Sequence, residues 1–222
     1  MTVILVILTF AIFLLIDYFR TANQPAVATV PASNEPEMPR LISTIVGGFK
    51  VPGNLSYHPG HTWALSESPT LVRVGMDDFA SKVLGKVERI ALPQRGQWIR
   101  QGQKVCTLYR DGKSVDMLSP IEGEVTDVND AAVQNPETAR KDPYAEGWLI
   151  RVNSPDAKTN FRNLLTGAVA RAWTEQSAVR LRSTLPLMAG ALAQDGGVAM
   201  DNTTAHLSDD DWAEVAKEFF LS

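Results

Sequence analysis

A chain of 222 residues with 45% hydrophobic and 21% charged side chains can bury one good core, which excludes global disorder. Its 21 Lys and Arg against 25 Asp and Glu leave a net charge of −4, and no basic cluster stands ready to neutralise phosphates, so nucleic acid is excluded as a partner. A single cysteine, Cys106, excludes an intrachain disulfide framework, and with only three histidines, His58, His61 and His206, no paired Cys/His spacing offers a metal site.

The chain starts with an uncharged run, "TVILVILTFAIFLLI" from Thr2 to Ile16, followed by "DYFR". Tyr18 and Phe19 extend the apolar length to about 18 residues, near the lower limit for a membrane span, and can sit at headgroup level. The basic leader that a cleaved signal peptide needs is absent. Residues 1–20 are therefore expected to form an uncleaved, single-pass anchor. Arg20, Arg40 and Lys50 follow the span, while only the α-amino charge precedes it, so the domain is expected on the cytoplasmic side. Residues 21–50, opening with "TANQPAVATVPASNEPEMPR", lack any sustained period of 2 or 3.6 and read as a Pro/Ala-rich tether.

The domain is expected over residues 51–178. Short β-rich runs, "TLVRVGM", "GKVERIAL", "KVCTLYR", "VDMLS", "GEVTDVN" and "GWLIRVN", are punctuated by Asp-Gly, Ser-Pro and Gly joints, which argues for a mainly β sandwich or barrel. "DDFASKVLG" interrupts them as a helix: Phe79, Val83 and Leu84 share a face, with acidic residues at its start and Gly85 at its stop. "SPDAKTNFRNLLTGAVARAWTEQ" reads as a second helical segment, weakened at Gly167. The extension 179–222 closes with "SDDDWAEVAKEFFL", for which Ser208 is the candidate N-cap. There Trp212, Val215, Ala216, Phe219 and Phe220 recur at i, i+3, i+4, i+7 and i+8, an apolar face that either folds back on the domain, the favoured expectation, or docks into a partner's groove.

Within "LYRDGKSVDMLSPIEGEV", Asp111-Gly112 suits a two-residue type I′ turn, because Asp and Gly tolerate the positive φ that both central positions require. Lys113 then starts the returning strand beside the tip, its side chain set by strand alternation. Left to itself it reads as a solvated lysine next to a turn. Cys106, in the outgoing strand, reads as a small buried hydrophobe.

Four spaced motifs, "YHPGHTW", "RVGMDDFASKVLGKVERIALPQRGQWIRQGQ", "LSPIEGEVTDVND" and "NPETARKDPYAEGWLIRV", together resemble the H protein of the glycine cleavage system over roughly Pro52 to Gln176. The resemblance implies a flattened β-barrel of the lipoyl/biotinyl "hammerhead" kind with flanking helices. It also implies a carrier, in which a lysine on a protruding hairpin is amide-linked to lipoic acid and the arm passes a group between glycine cleavage or other lipoate-dependent enzymes. In the family that lysine lies eight residues before the Pro corresponding to Pro120. Counted without gaps, the position falls on Gly112, and Lys113, the candidate attachment residue here, stands one place late. Where the family has glutamate three residues before its lysine, this chain has Tyr109 counted from Gly112, or Arg110 counted from Lys113. His61 and Trp63 match the opening motif, with Thr62 in place of its glutamate, and read as a structural pair at the domain edge. Asp142, Pro143, Tyr144, Gly147 and Trp148 read as turn and packing chemistry.

Three readings follow. The first is a membrane-tethered lipoyl-carrier homologue with a shifted lysine. The second is a binding or assembly module at the membrane without lipoate. The third, a periplasmic adaptor, requires a long helical hairpin for which Asp111-Gly112 leaves no room. No Ser-His-Asp, Cys-His or metal constellation supports an independent enzyme.

Overall fold

The computed structural model describes residues 43–184 and 209–220. The expected anchor at 1–20, the stretch 21–42 and residues 185–208 lie outside the described residues. Among the described residues no helix is long and apolar enough to cross a membrane.

Strands β1 (Ser43–Val46) and β2 (Phe49–Pro52) form an antiparallel pair. Regular structure thus begins inside the stretch read as tether, where Phe49 is fully buried. Next come β3 (Ser56–His58), β4 (Thr62–Ser66), β5 (Leu71–Met76), β6 (Arg89–Ala91), β7 (Trp98–Ile99), β8 (Lys104–Arg110), β9 (Lys113–Leu118), β10 (Gly123–Val128) and β11 (Ile150–Asn153). Six of them form one antiparallel sheet of order β3-β4-β5-β11-β10-β7, and three form a second of order β6-β8-β9. This is the expected mainly β architecture.

Side-chain alternation sets which face of each strand enters the core. In β9, Val115 and Met117 are buried while Ser114 is exposed, and in β10 Val125 is buried between exposed Glu124 and Thr126. Strand β5 is covered on both faces, hence its near-continuous burial from Val72 to Met76. A bulge where Val125 and Asp127 pair with Val152 and Arg151 bends the β10–β11 ladder.

Helix α1 (Asp78–Leu84) has the ends its sequence announced. Asp77 caps it by accepting the Ala80 N–H at 2.8 Å, and the Gly85 N–H closes the last turn on the Ser81 carbonyl at 3.1 Å. Helices α2 (Asp130–Gln134) and α3 (Pro136–Lys141) have no counterpart among the elements expected from the sequence. Each is under two turns, too short for an apolar period to show, although Asn129 as cap of one and Pro136 at the first position of the other are legible start signals.

The single helical segment expected from Ser154 is two helices, α4 (Ala157–Phe161) and α5 (Gly167–Thr184). Between them Leu165 leaves the helical path to exchange both backbone hydrogen bonds with Tyr57, at 2.9 and 2.8 Å, and Gly167 turns the chain with φ of 54°. Helix α6 (Asp209–Phe220) follows; Ser208, its candidate cap, lies outside the described residues. Trp212, Val215, Phe219 and Phe220 are buried in the main core, so the amphipathic face does fold back on the domain.

Candidate functional site

The hairpin β8–β9 carries the residues that the resemblance singles out. Its ladder runs from Lys104 opposite Leu118 to Arg110 opposite Lys113, with one irregularity between Lys104 and Cys106. Asp111 (φ 48°) and Gly112 (φ 75°) form the turn, both in the left-handed region that a type I′ connection requires. A side chain placed on Gly112 would meet nothing within 4 Å, so this position of the turn faces open space.

Lys113 is the first residue of the returning strand and is half-buried. Its Nζ lies 5.8 Å from the centre of the Trp212 ring, so the ammonium sits over the first turns of α6 rather than beyond the tip. Arg110, opposite it in the ladder, is buried. It donates from Nη1 to the Leu84 carbonyl at the end of α1 and from Nε to Asp111 at 3.1 Å, and its guanidinium lies 5.7 Å from the same Trp212 ring. A cation at the last carbonyls of a helix is favourably placed, so Arg110 pins the hairpin to α1. Tyr109 is stacked beneath Arg89, whose guanidinium carbon is 3.5 Å from its ring centre.

Cys106 is buried in β8, and burial pushes its thiol up to about 12, which removes the thiolate needed for exchange chemistry. Asp142, Pro143 and Tyr144 do the turn and packing work expected of them. The Asp142 carbonyl accepts the Gly147 N–H at 2.8 Å, the Pro143 carbonyl accepts the Trp63 indole N–H at 3.1 Å, and Tyr144 donates to the Lys50 carbonyl at 2.6 Å.

His61 and Trp63 are structural, but they are interior rather than at an edge. His61 Nδ1 shares a hydrogen bond of 2.8 Å with Asp77 Oδ2, so one carboxylate both caps α1 and orients the ring. The imidazole stacks on Phe79 at 4.0 Å, faces Trp173 at 4.5 Å, and meets the edge of Phe220 at 6.0 Å. Beside it, Asp78 accepts the Lys50 backbone N–H and the Lys82 ammonium, both at 2.7 Å, while Tyr144 accepts the Asp78 N–H at 2.9 Å. Burial, reinforced by these carboxylates, holds the Tyr57 and Tyr144 phenols protonated well above their ordinary range.

Trp212 and Trp173 were not legible as site residues. The apolar spacing of α6 shows that its face needs a partner but not which surface supplies it, and Trp173 reaches His61 only because the chain breaks before α5.

The glycine cleavage H-protein family model matches residues 55–177. A glycine cleavage system H protein from Anaeromyxobacter sp. (strain K) is 33% identical over 128 residues, covering 58% of this chain and 98% of that protein. One from Thermus thermophilus is 35% identical over 106 residues, covering 48% and 82%. The crystal structure of a glycine cleavage system H protein from Mycobacterium marinum superposes with a TM-score of 0.50 at 30% identity, covering 57% of this chain and 98% of that one. Helix α6 lies beyond the matched residues. With the motifs, the two sheets and the β8–β9 hairpin all inside the matched region, this chain belongs to the glycine cleavage H-protein family.

Proposed function

We propose that the chain is an H-protein-like module held at a membrane by residues 1–20, with its domain on the cytoplasmic side, and that it works as a binding and assembly module without its own catalysis. The observation that carries the reading is the hairpin, in which Lys113 is turned onto Trp212; a gap-free count back from Pro120 puts the family's lysine position at Gly112 instead. Lipoate held as in the family needs a primary amine projecting from the tip, and the residues present do not fit that requirement. The uncharged run Thr2–Ile16 supports the anchor.

Family membership favours the competing reading, a lipoyl carrier acting through Lys113 with glycine cleavage or other lipoate-dependent enzymes as partners. The two readings separate by intact mass and peptide mapping of the full chain, co-expressed with a lipoate ligase and supplied with lipoate. The binding-module reading expects Lys113 at its unmodified mass; a stoichiometric lipoyl increment there overturns it in favour of the carrier.

A further inference from the structure

The hairpin tip is reached past a segment outside the family match. Trp212, on the first turns of α6, is 7% exposed, and its ring lies between 5 and 6 Å from the cationic groups of both Arg110 and Lys113. The two ends of α6 are held differently. Val215, Phe219 and Phe220 are at most 2% exposed; Phe219 packs 5.3 Å from Phe79, and Phe220 edges onto His61. Trp212, by contrast, buries its indole N–H with no hydrogen-bond acceptor among the described residues. A buried donor without an acceptor opposes docking, and water satisfies it as soon as the ring is released.

We infer that the Trp212 end of α6 is an intramolecular cover over Arg110 and Lys113, which lifts to open the hairpin tip to a protein partner while the Phe219–Phe220 end stays docked. An aromatic side chain over two cations is one contact the cover makes, so a partner using this face does so with an aromatic group flanked by acids, as the segment "DDDW" is. The inference rests on the tip being a partner-binding surface, as proposed above.

Two measurements on the full chain test it. In hydrogen exchange of the wild type, the Ala213 and Glu214 amides, which lie past the unbonded first N–H groups of α6, are expected to exchange faster than those of Phe219 and Phe220, since lifting is a local opening. Uniform exchange along α6 would mean that the helix opens only as a whole and would overturn the cover.

In the second, lysines are acetylated with a limiting amine-reactive ester and quantified by peptide mapping. In Trp212→Ala, Lys113 labelling should rise roughly threefold or more relative to exposed Lys86 and Lys158, while Trp212→Phe stays near wild type, because site-selective access follows local opening. An unchanged Lys113 ratio refutes the cover. So does a rise matched at buried Lys82, which would report general loosening. Acetylation needs no ligase, so lipoylation of Lys113 in the earlier assay would sink the binding-module reading separately from this one.

Discussion

Moving the lysine one residue tests whether register governs lipoate attachment at the hairpin. The variant is Gly112→Lys combined with Lys113→Ala. At Gly112 a new Cβ meets nothing within 4 Å, so the substitution carries no steric clash. The backbone there has φ of 75°, and holding a non-glycine residue in that region costs about 1 kcal/mol. Removing the Lys113 ammonium from the Trp212 face costs a further ~0.5–1 kcal/mol, the range for a cation over an aromatic ring at a partly exposed site. The sum, about 1.5–2 kcal/mol, corresponds to a fall in Tm of roughly 3–8 °C for a chain of this size. Gly112→Ala isolates the turn contribution and should account for about half of the fall. Thermal unfolding by circular dichroism gives the stability, and intact mass after co-expression with a lipoate ligase gives the modification. The double variant is expected to melt a few degrees low and to gain a lipoyl increment, with the wild type expected at its unmodified mass. A variant that folds with the expected Tm yet takes no lipoate would refute register as the obstacle and point instead to Arg110 and Tyr109.

The remaining predictions concern the core, acid stability and topology. Gly75→Ala would place a Cβ 2.5 Å from the Trp63 ring, so it should destabilise by about 1–3 kcal/mol in denaturant titration; a neutral result would show that the Trp63 pocket is looser than its contacts imply. His58 accepts the Gly60 N–H at 3.0 Å, and burial, then the neighbouring His61, holds its pKa below the ordinary value of 6.5. The unfolded chain therefore binds the proton first, and stability should fall as pH drops below 6.5 toward the folded pKa; His58→Gln should flatten that slope, and an unchanged slope would remove His58 as its source. Protease added to intact cells should spare the domain, and deletion of residues 1–20 should leave it folding cooperatively and recoverable without detergent. Digestion from outside would reverse the orientation.

The hairpin itself was legible because its determinants are local. Asp-Gly dictates a two-residue turn of a given hand, the turn length sets the register, and the register makes Lys113 the first residue of the return strand. Helix α1 was legible for the same reason, since cap, apolar face and stop signal all lie within Asp77–Gly85. Leu165 shows where such reasoning ends. Nothing in "NFRNLLTGAV" states that a strand at Tyr57 will take its backbone hydrogen bonds, so one helix was read where two exist.

Local sequence, with its spaced motifs, thus determined the β architecture, the family and the place of Lys113 at the start of the return strand, because turn chemistry and strand alternation act over a few residues. Only the tertiary structure decided what lies over that lysine. Trp212 is 99 positions from Lys113 and is brought to it by α6 docking on the core, a choice made by shape and apolar burial summed over Val215, Phe219 and Phe220 rather than by any residue near the hairpin.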